Sequence, residues 1–161
     1  MEIRPYEESD VEEFWKLKRA FELGLGAGTG GDDKQVVYEG KLTEEYRERY
    51  LDWVERCVDE DERCVIVADA GDELVGYVFV LPEAFAFIWD AAVLNEIYVR
   101  PPYRGTGIAD ELMDAAVSFA DDQTLPLDRL VLDVDRENDR AGAFYDRHGF
   151  EHWGEMVAKK L

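Results

Sequence analysis

Residues 104–109 read Arg-Gly-Thr-Gly-Ile-Ala and combine a fixed positive charge with two glycines. An apolar run at 91–99 and a Pro-Pro break precede them, and a helical stripe of apolar residues begins at Ile108. A helix that starts directly after a glycine loop directs free N–H groups and the positive end of its dipole at an anion. Glycine at 105 and 107 lets the backbone approach that anion without a Cβ in between. The segment therefore predicts a site for phosphate or pyrophosphate.

Two common phosphate loops do not fit this segment. The P-loop ends in Gly-Lys-Ser/Thr, which does not occur here. The dinucleotide fingerprint begins with glycine, where this chain has Arg104. The segment instead matches Arg/Gln-x-x-Gly-x-Gly/Ala, with Arg104, Gly107 and Ala109 at the fixed positions. This run resembles the acetyl-CoA pyrophosphate loop of the GNAT superfamily of N-acetyltransferases.

A second segment, residues 138–150, reads Asn-Asp-Arg-Ala-Gly-Ala-Phe-Tyr-Asp-Arg-His-Gly-Phe. It resembles a later motif of the same superfamily, Asn-x-x-Ala-x-x-Phe/Leu-Tyr-x-x-x-Gly-Phe, at every fixed position. Asn138 is a good N-cap and Gly149 lies where a helix would end, so the segment predicts a helix. On both motifs the chain is identified as a member of the GNAT superfamily. The resemblance is close over residues 88–161 and rests on pattern alone before that.

Hydrophobic periodicity predicts an α/β fold that would position these motifs. The predicted order is β-α-α-β-β-β-α-β-α-β-β, a mixed central sheet of about seven strands flanked by about four helices, as in the GNAT fold. Thr43 is expected to cap the second helix. The last two strands are predicted at 150–153 and 156–161, and the strand before the second motif at 129–134.

The stretch from 24 to 40 is predicted to be a loop. Its residues 26–31 match G-x-G-x-x-G by letter, but they follow a predicted helix and run into Asp32 and Asp33, which would repel phosphate. In similar proteins this connection lines the acceptor site. We therefore expect a mobile lid rather than a nucleotide loop.

Length and composition exclude several classes. A chain of 161 residues is expected to form one N-acetyltransferase domain over 1–161. The net charge of −20, from 38 acidic and 18 basic residues, argues against nucleic-acid binding. It is typical of a solvated surface in a high-salt cytoplasm, as in a halophile-like acidic proteome. With no apolar run of membrane-spanning length and no signal peptide, we expect a cytoplasmic protein without a membrane partner.

The chemistry that the resemblance implies is acetyl transfer from acetyl-CoA, as co-substrate, to an amine. A primary amine is protonated at neutral pH, so a base must take its proton before attack. The departing thiolate benefits from an acid. This transfer needs no metal, and none is expected, because a helix-ending glycine separates His148 from His152. Cys57 and Cys64 are expected to be buried apolar residues.

The resemblance implies Tyr145 as the acid, because it puts this tyrosine beside the coenzyme A sulfur. Two candidate bases remain open. Glu96 lies in a central strand, where a carboxylate is costly unless it is paired or functional, and its context resembles small-amine acetyltransferases. Asp133 stands five residues before Asn138, at the base position of the ribosomal-protein N-terminal-alanine acetyltransferases, which carry glutamate there. Glu96 is favoured, and a structural ion pair with an arginine is the alternative for either.

The resemblance also implies the residues that bind acetyl-CoA. The backbone of Ile97 and Val99 would pair with the pantetheine arm, and the Ile97 N–H would polarise the thioester carbonyl. The full expected set is Ile97, Tyr98, Val99, Arg104, Gly105, Thr106, Gly107, Ile108, Ala109, Asn138 and Tyr145.

The function implied is transfer of an acetyl group to a primary amine of a small molecule or a protein N-terminus, by direct attack in a ternary complex. A rival from another class is an acyl-CoA sensor or partner subunit that keeps the fold without turnover. A homodimer through the C-terminal strands is common in similar proteins and is a further expectation.

Overall fold

The structure is a computed structural model that describes residues 1–28 and 32–161. Over those ranges it contains five strands and five α-helices. The strands are β1 (Glu2–Pro5), β2 (Val65–Asp69), β3 (Leu74–Val80), β4 (Ala92–Val99) and β5 (Leu130–Val131). The helices are α1 (Val11–Gly28), α2 (Asp32–Lys41), α3 (Glu44–Glu60), α4 (Ile108–Asp121) and α5 (Asp139–Arg147).

The five strands form one mixed sheet in the order β1-β2-β3-β4-β5. Neighbours from β1 to β4 are antiparallel, and β5 lies parallel to β4. β4 and β5 pair only at Ala92–Leu130 and Val93–Val131. Beyond Val93 the two strands therefore separate, and the edge of β4 that faces away from β3 is open.

β4 carries one residue more than β3 over the paired region. Glu96 lies opposite Phe79, but Leu94 lies opposite the next residue, Val80, so Asn95 forms a β-bulge. A bulge of this kind changes the direction in which the following side chains point. Here it lies next to Glu96, at the middle of the sheet.

The two faces of the sheet are covered by different helices. α1 and α3 pack on one face, where the Phe14 ring lies 5.0 Å from that of Tyr77 and 6.3 Å from that of Tyr50. α4 packs on the other face with Leu112 fully buried. α4 lies close to β3, because a Cβ added to Gly76 would lie 3.3 Å from Leu112 Cδ1. The predicted burial of both cysteines is confirmed.

The predicted loop at 24–40 is wrong for most of its length. α1 continues to Gly28 and α2 begins at Asp32, which gives five helices where about four were expected. Glycine content suggested a loop, but tertiary ion pairs hold α2 in place: Lys34 binds Asp135, and Lys41 Nζ lies 2.8 Å from Glu22 Oε2. Residues 29–31 of the supposed lid lie outside the described residues.

The predicted strands at 150–153 and 156–161 are also wrong. Residues 151–161 are all exposed and carry no strand, so the sheet formed by the described residues has five strands rather than about seven. The physical reason is the shortness of β5, which spans two residues instead of the predicted 129–134. A strand needs a neighbouring backbone to pair with, and β5 offers little edge for this.

Candidate active site

The glycine loop before α4 has the conformation of an anion site. Gly105 and Gly107 have φ of 77° and 90°, in the left-handed region that glycine adopts without strain. Gly107 is the N-cap of α4 and offers no side-chain hydrogen bond to the first turn. A Cβ added at either glycine would meet nothing within 4 Å, so the space in front of the loop is open. The N–H groups of Ile108 and Ala109 are therefore available to an anion.

Arg104 closes one side of this loop. Its Nε donates a hydrogen bond of 2.9 Å to the Val99 carbonyl, and its guanidinium lies 5.6 Å from the centroid of the Tyr98 ring. Burial and the nearby charge of Arg140 lower the pKa of Arg104. Two arginines in one place favour an anion between them. Arg140 was missed in the sequence, although its place in the first turn of the second motif's helix was a usable signal.

Thr106 and the Pro101–Tyr103 turn fix the shape of the loop. The Thr106 hydroxyl donates to the Tyr103 carbonyl, and the Tyr103 N–H donates to the Arg100 carbonyl at 2.9 Å. These hydrogen bonds within the loop fix its conformation. The N–H groups at the start of α4 take no part in them and remain accessible to a ligand. Thr106 itself is exposed.

α5 has the predicted caps. The Ala141 N–H donates to Asn138 Oδ1 at 3.2 Å, and Gly149 ends the helix with φ of 83°. Tyr145 lies between two aromatic rings, with centroids 5.5 Å from Phe144 and 5.6 Å from Phe150. Burial raises the pKa of Tyr145 to about 12, although the charge of Arg140 opposes part of the rise. Tyr145 therefore keeps its proton at neutral pH.

The backbone of β4 presents alternate groups to the gap beside β5. Arg100 N–H donates to the Val75 carbonyl at 2.8 Å, so the register makes Tyr98 and Glu96 hydrogen-bonding partners of β3. The N–H groups of Ile97 and Val99 then point away from β3, to the side where β5 has ended. This is the open edge that the pantetheine prediction requires. The Val99 carbonyl, by contrast, already accepts from Arg104.

A cleft of about 1020 Å³ opens between α1, α3 and β4. Its aromatic wall comes from α3 and consists of Tyr46, Tyr50 and Trp53. Its floor includes Glu96 of β4, beside the bulged Asn95. The walls carry charges of both signs, so the cleft is polar without being uniformly acidic.

Glu96 is held by three donors at the floor of this cleft. Lys18 Nζ binds its Oε2 at 2.5 Å, and the hydroxyls of Tyr50 and Tyr77 donate to its Oε1 at 2.7 and 2.9 Å. Only 6% of Glu96 is exposed. The structural alternative raised from the sequence is thus present in part, but the ion-pair partner is a lysine rather than an arginine.

Lys18 continues this network into α1 and α2. It also binds Glu22 one turn later, and Glu22 in turn faces Lys41 of α2. Lys18 and Glu22 are both buried. Burial alone would lower the pKa of Lys18, but the charges of Glu96 and Glu22 outweigh it, and the pKa lies above its ordinary value. The sequence did offer a signal, since residues 18 and 22 place opposite charges on the apolar face of α1.

The structure does not bring Asp133 into this cleft. Asp133 follows β5 and is exposed, and the lining of the cleft does not include it. The nearby Asp135 accepts a hydrogen bond from Lys34, and this contact raises the pKa of Lys34. Of the two candidate bases, only Glu96 lies where a molecule in the cleft would meet the centre of the sheet.

Comparison with known proteins decides the family. The family model described as Acetyltransferase (GNAT) family matches residues 31–150. The chain belongs to the GNAT acetyltransferase family. It is an acetyl-CoA-dependent acyltransferase, and the open glycine loop with its two arginines suits the phosphate groups of that co-substrate.

The relatives agree with this assignment. A curated protein of Archaeoglobus fulgidus, named only as an uncharacterized N-acetyltransferase, is 28% identical over 147 residues, which is 90% of this chain and 89% of that protein. The PaiA N-acetyltransferase of Thermoplasma acidophilum, solved with coenzyme A, has a TM-score of 0.73 at 23% identity, over 93% of this chain and 89% of its own. The ribosomal-protein-alanine N-acetyltransferase of Brucella melitensis has a TM-score of 0.71 at 22% identity, over 96% and 86%.

Two features are absent from the part of the chain that the structure describes. Over 1–28 and 32–161 there is no helix with both the length and the apolarity to cross a membrane. Over the same ranges, no group of three or more His, Cys, Asp or Glu residues could hold a metal ion.

Proposed function

We propose that the protein acetylates a primary amine, of a small molecule or a protein N-terminus, by direct attack in a ternary complex with acetyl-CoA. One observation carries the proposal. Glu96 of β4 is a buried carboxylate at the floor of an open cleft. The same strand leads, at its C-terminal end, to the glycine loop that begins α4 on the opposite side. Two substrates can therefore approach β4 from different directions.

Acetyl-CoA supplies the activated acetyl group when it is bound. The chain's part is to hold its phosphates at the α4 N-terminus and beside Arg104, and to align its pantetheine arm along Ile97 and Val99. Asn138 contributes on the α5 side while it caps that helix. Preorganised N–H donors of this kind stabilise developing negative charge, and the Ile97 N–H is the nearest such group on the open edge.

Glu96 is the proposed destination of the amine proton. It is preferred to Asp133 because it lies in the cleft and Asp133 does not. Lys18 Nζ lies 2.5 Å from Glu96 Oε2 and holds the carboxylate at this position. Tyr145 is the proposed acid for the departing thiolate, since its hydroxyl stays protonated at neutral pH.

The names of the relatives support an amine acceptor. The Brucella protein is named for ribosomal-protein alanine, and the Thermoplasma protein as an N-acetyltransferase. We further propose that residues 1–161 form a single N-acetyltransferase domain of a cytoplasmic protein adapted to high salt. The net charge of −20 supports the last point.

Release of free thiol from acetyl-CoA with a panel of primary amines tests the function. A transferase releases thiol in proportion to the amine supplied. A sensor or partner subunit would bind acetyl-CoA without amine-dependent release, and that result would overturn the proposal. The panel should include alkyl monoamines, diamines, aminoglycosides and peptides with free N-termini.

The acid is tested by Tyr145→Phe, with Tyr6→Phe as the matched control. Burial raises the pKa of both tyrosines to about 12, but Tyr6 lies beside Phe14, away from α5. We expect Tyr145→Phe to lower kcat by about 10²-fold or more with little change in acetyl-CoA binding. An unchanged kcat would refute the acid role. Glu96→Gln and Asp133→Asn, compared in pH–rate profiles, test the base in the same assay.

A further inference from the structure

The Glu96 carboxylate is too well bound to meet an amine directly. Oε1 accepts from both Tyr50 and Tyr77, so both of its lone pairs are engaged. Oε2 is bound by Lys18, whose positive charge would repel an incoming ammonium. A group that is already hydrogen-bonded to Glu96 offers the proton a path that avoids the Lys18 charge.

The two tyrosines differ in what lies on their other side. Tyr50 belongs to the aromatic wall and lines the cleft. Tyr77 is fully buried in β3 and does not line it. Both donate to the same oxygen at nearly the same distance, 2.7 and 2.9 Å. Of the two tyrosines, Tyr50 is the one that contacts both the cleft and Glu96. Lys18 also contacts both, but its charge opposes the approach of an ammonium.

We propose that the Tyr50 hydroxyl relays the acceptor's proton to Glu96. The inference rests on the proposed function. In this step the N–H bond of the ammonium breaks and its proton bonds to the Tyr50 oxygen. At the same time the hydroxyl's own O–H bond breaks, and that proton bonds to Glu96 Oε1. The amine keeps the electron pair of the broken bond and becomes the nucleophile, and Tyr50 ends as it began.

The surroundings of Tyr50 suit a relay and exclude a tyrosinate base. Burial, with the Glu96 charge, holds the pKa of Tyr50 well above its ordinary value, so the hydroxyl stays protonated between turnovers. The Lys18 ammonium lies 4.4 Å from the centroid of the Tyr50 ring. Among the described residues, the other titratable groups near Tyr50 and Lys18 are Glu22 of α1, Lys41 of α2, Tyr46 of α3 and Tyr77 of β3. The cleft is also lined by charged residues of α3: Arg49, Asp52, Glu55, Arg56 and Asp59.

Tyr50→Phe and Tyr77→Phe test the relay as a matched pair, because each removes one hydrogen bond from the same Glu96 oxygen. We expect Tyr50→Phe to lower kcat by about 10²-fold or more and to leave the KM for acetyl-CoA unchanged. We expect Tyr77→Phe to lower kcat by only about tenfold, since its hydroxyl positions Glu96 but does not meet the amine. The difference in kcat between Tyr50→Phe and the wild type should decrease as the pH approaches the pKa of the amine.

The outcomes separate the relay from the proposed function. Equal losses in the two variants, or an unimpaired Tyr50→Phe, would overturn the relay while leaving the transferase intact. A wild type that releases no amine-dependent thiol would overturn both. Should Tyr50→Phe fail to fold, the solvent isotope effect on wild-type kcat decides. A relay moves two protons and gives a curved proton inventory, and a linear one contradicts it.

Discussion

Of the two regions that flank β4, one is built mainly from backbone groups and the other from side chains. On one side, the anion loop consists of backbone: two glycines with positive φ, an uncapped helix start, and one arginine bound to a carbonyl. On the other side, the network around Glu96 at the cleft floor consists of side chains from four elements, α1, α3, β3 and β4. The loop itself is contiguous in sequence, with the charge of Arg140 beside it, while the network joins residues as far apart as 18 and 96.

The contrast explains how each region is stabilised. A site made of backbone depends on local conformation. Its conformational free energy is therefore set by whether the residues tolerate left-handed dihedral angles. A buried side-chain network depends on charge balance, since removing one member leaves its partner's charge buried and unpaired. The loop should therefore be sensitive to added side chains, and the cleft floor to removed charges.

The largest expected effect comes from Lys18→Met at the cleft floor. The change leaves the carboxylates of Glu22 and Glu96 buried without their shared ammonium. We expect a loss of about 3–5 kcal/mol in the free energy of unfolding, measured by urea denaturation. Lys16→Met is the matched control on the same helix: Lys16 is exposed, its partner is Glu13, and its loss should cost less than about 1 kcal/mol. Similar losses in the two variants would remove the contrast between buried and exposed charges.

The same ion pairs predict a dependence on alkaline pH. Because the pKa of Lys18 is raised on folding, its stabilisation is complete below the unfolded value of about 10.4 and is lost as the pH rises above it. Unfolding measured from about pH 10 to 12 should show a steeper loss of stability in the wild type than in Lys18→Met. Parallel curves would mean that Lys18 is not stabilised in this way.

A smaller effect is expected from Gly107→Ala in the anion loop. A Cβ at φ of 90° costs about 1–2 kcal/mol, although nothing lies within 4 Å of it. We expect the KM for acetyl-CoA to rise about tenfold as the loop relaxes away from its anion-binding shape. Gly24→Ala in α1 is the control, since that helical position is also open and alanine favours a helix. A wild-type KM in Gly107→Ala would show that the left-handed residue is dispensable.

The smallest expected effect is the response of the two regions to salt concentration. Exposed charges are screened at a Debye length of about 10 Å in 0.1 M salt, whereas buried pairs are screened much less. From about 0.1 to 1 M KCl we expect the KM for acetyl-CoA to rise severalfold. The stability difference between wild type and Lys18→Met should change by less than about 0.5 kcal/mol. The wild type itself should gain stability, because salt relieves repulsion among its excess acidic residues. A strong salt effect on the Lys18 difference would mean that water reaches the network.

Local motifs were predicted well because their physics is local. The helix start at Ile108, the positive φ of Gly105 and Gly107, and the Asn138 cap follow from residues that are neighbours in sequence, and all are confirmed. The burial of Glu96 is also confirmed, since a strand at the centre of a sheet is covered on both faces. The catalytic and binding roles of these residues stay predictions.

Elements that depend on distant partners were predicted poorly. α2 was expected to be a loop because its ion pairs with Glu22 and Asp135 join residues far apart in the chain. The strands expected after 150 depended on a neighbour, and β5 ends at Val131, too soon to supply one. Periodicity indicates that a segment can form a strand, but only the sheet decides whether a partner is present.

The sequence by itself determined the family, the conformation of the glycine loop before α4 and the buried carboxylate in the central strand. Each of these depends on short-range geometry, which spacing and residue type encode directly. Only the tertiary structure decided what surrounds that carboxylate: Lys18 at one oxygen, Tyr50 and Tyr77 at the other, and a cleft that reaches just one of the two tyrosines. The physical reason is that hydrogen bonds act over about 3 Å in space, whatever the separation along the chain.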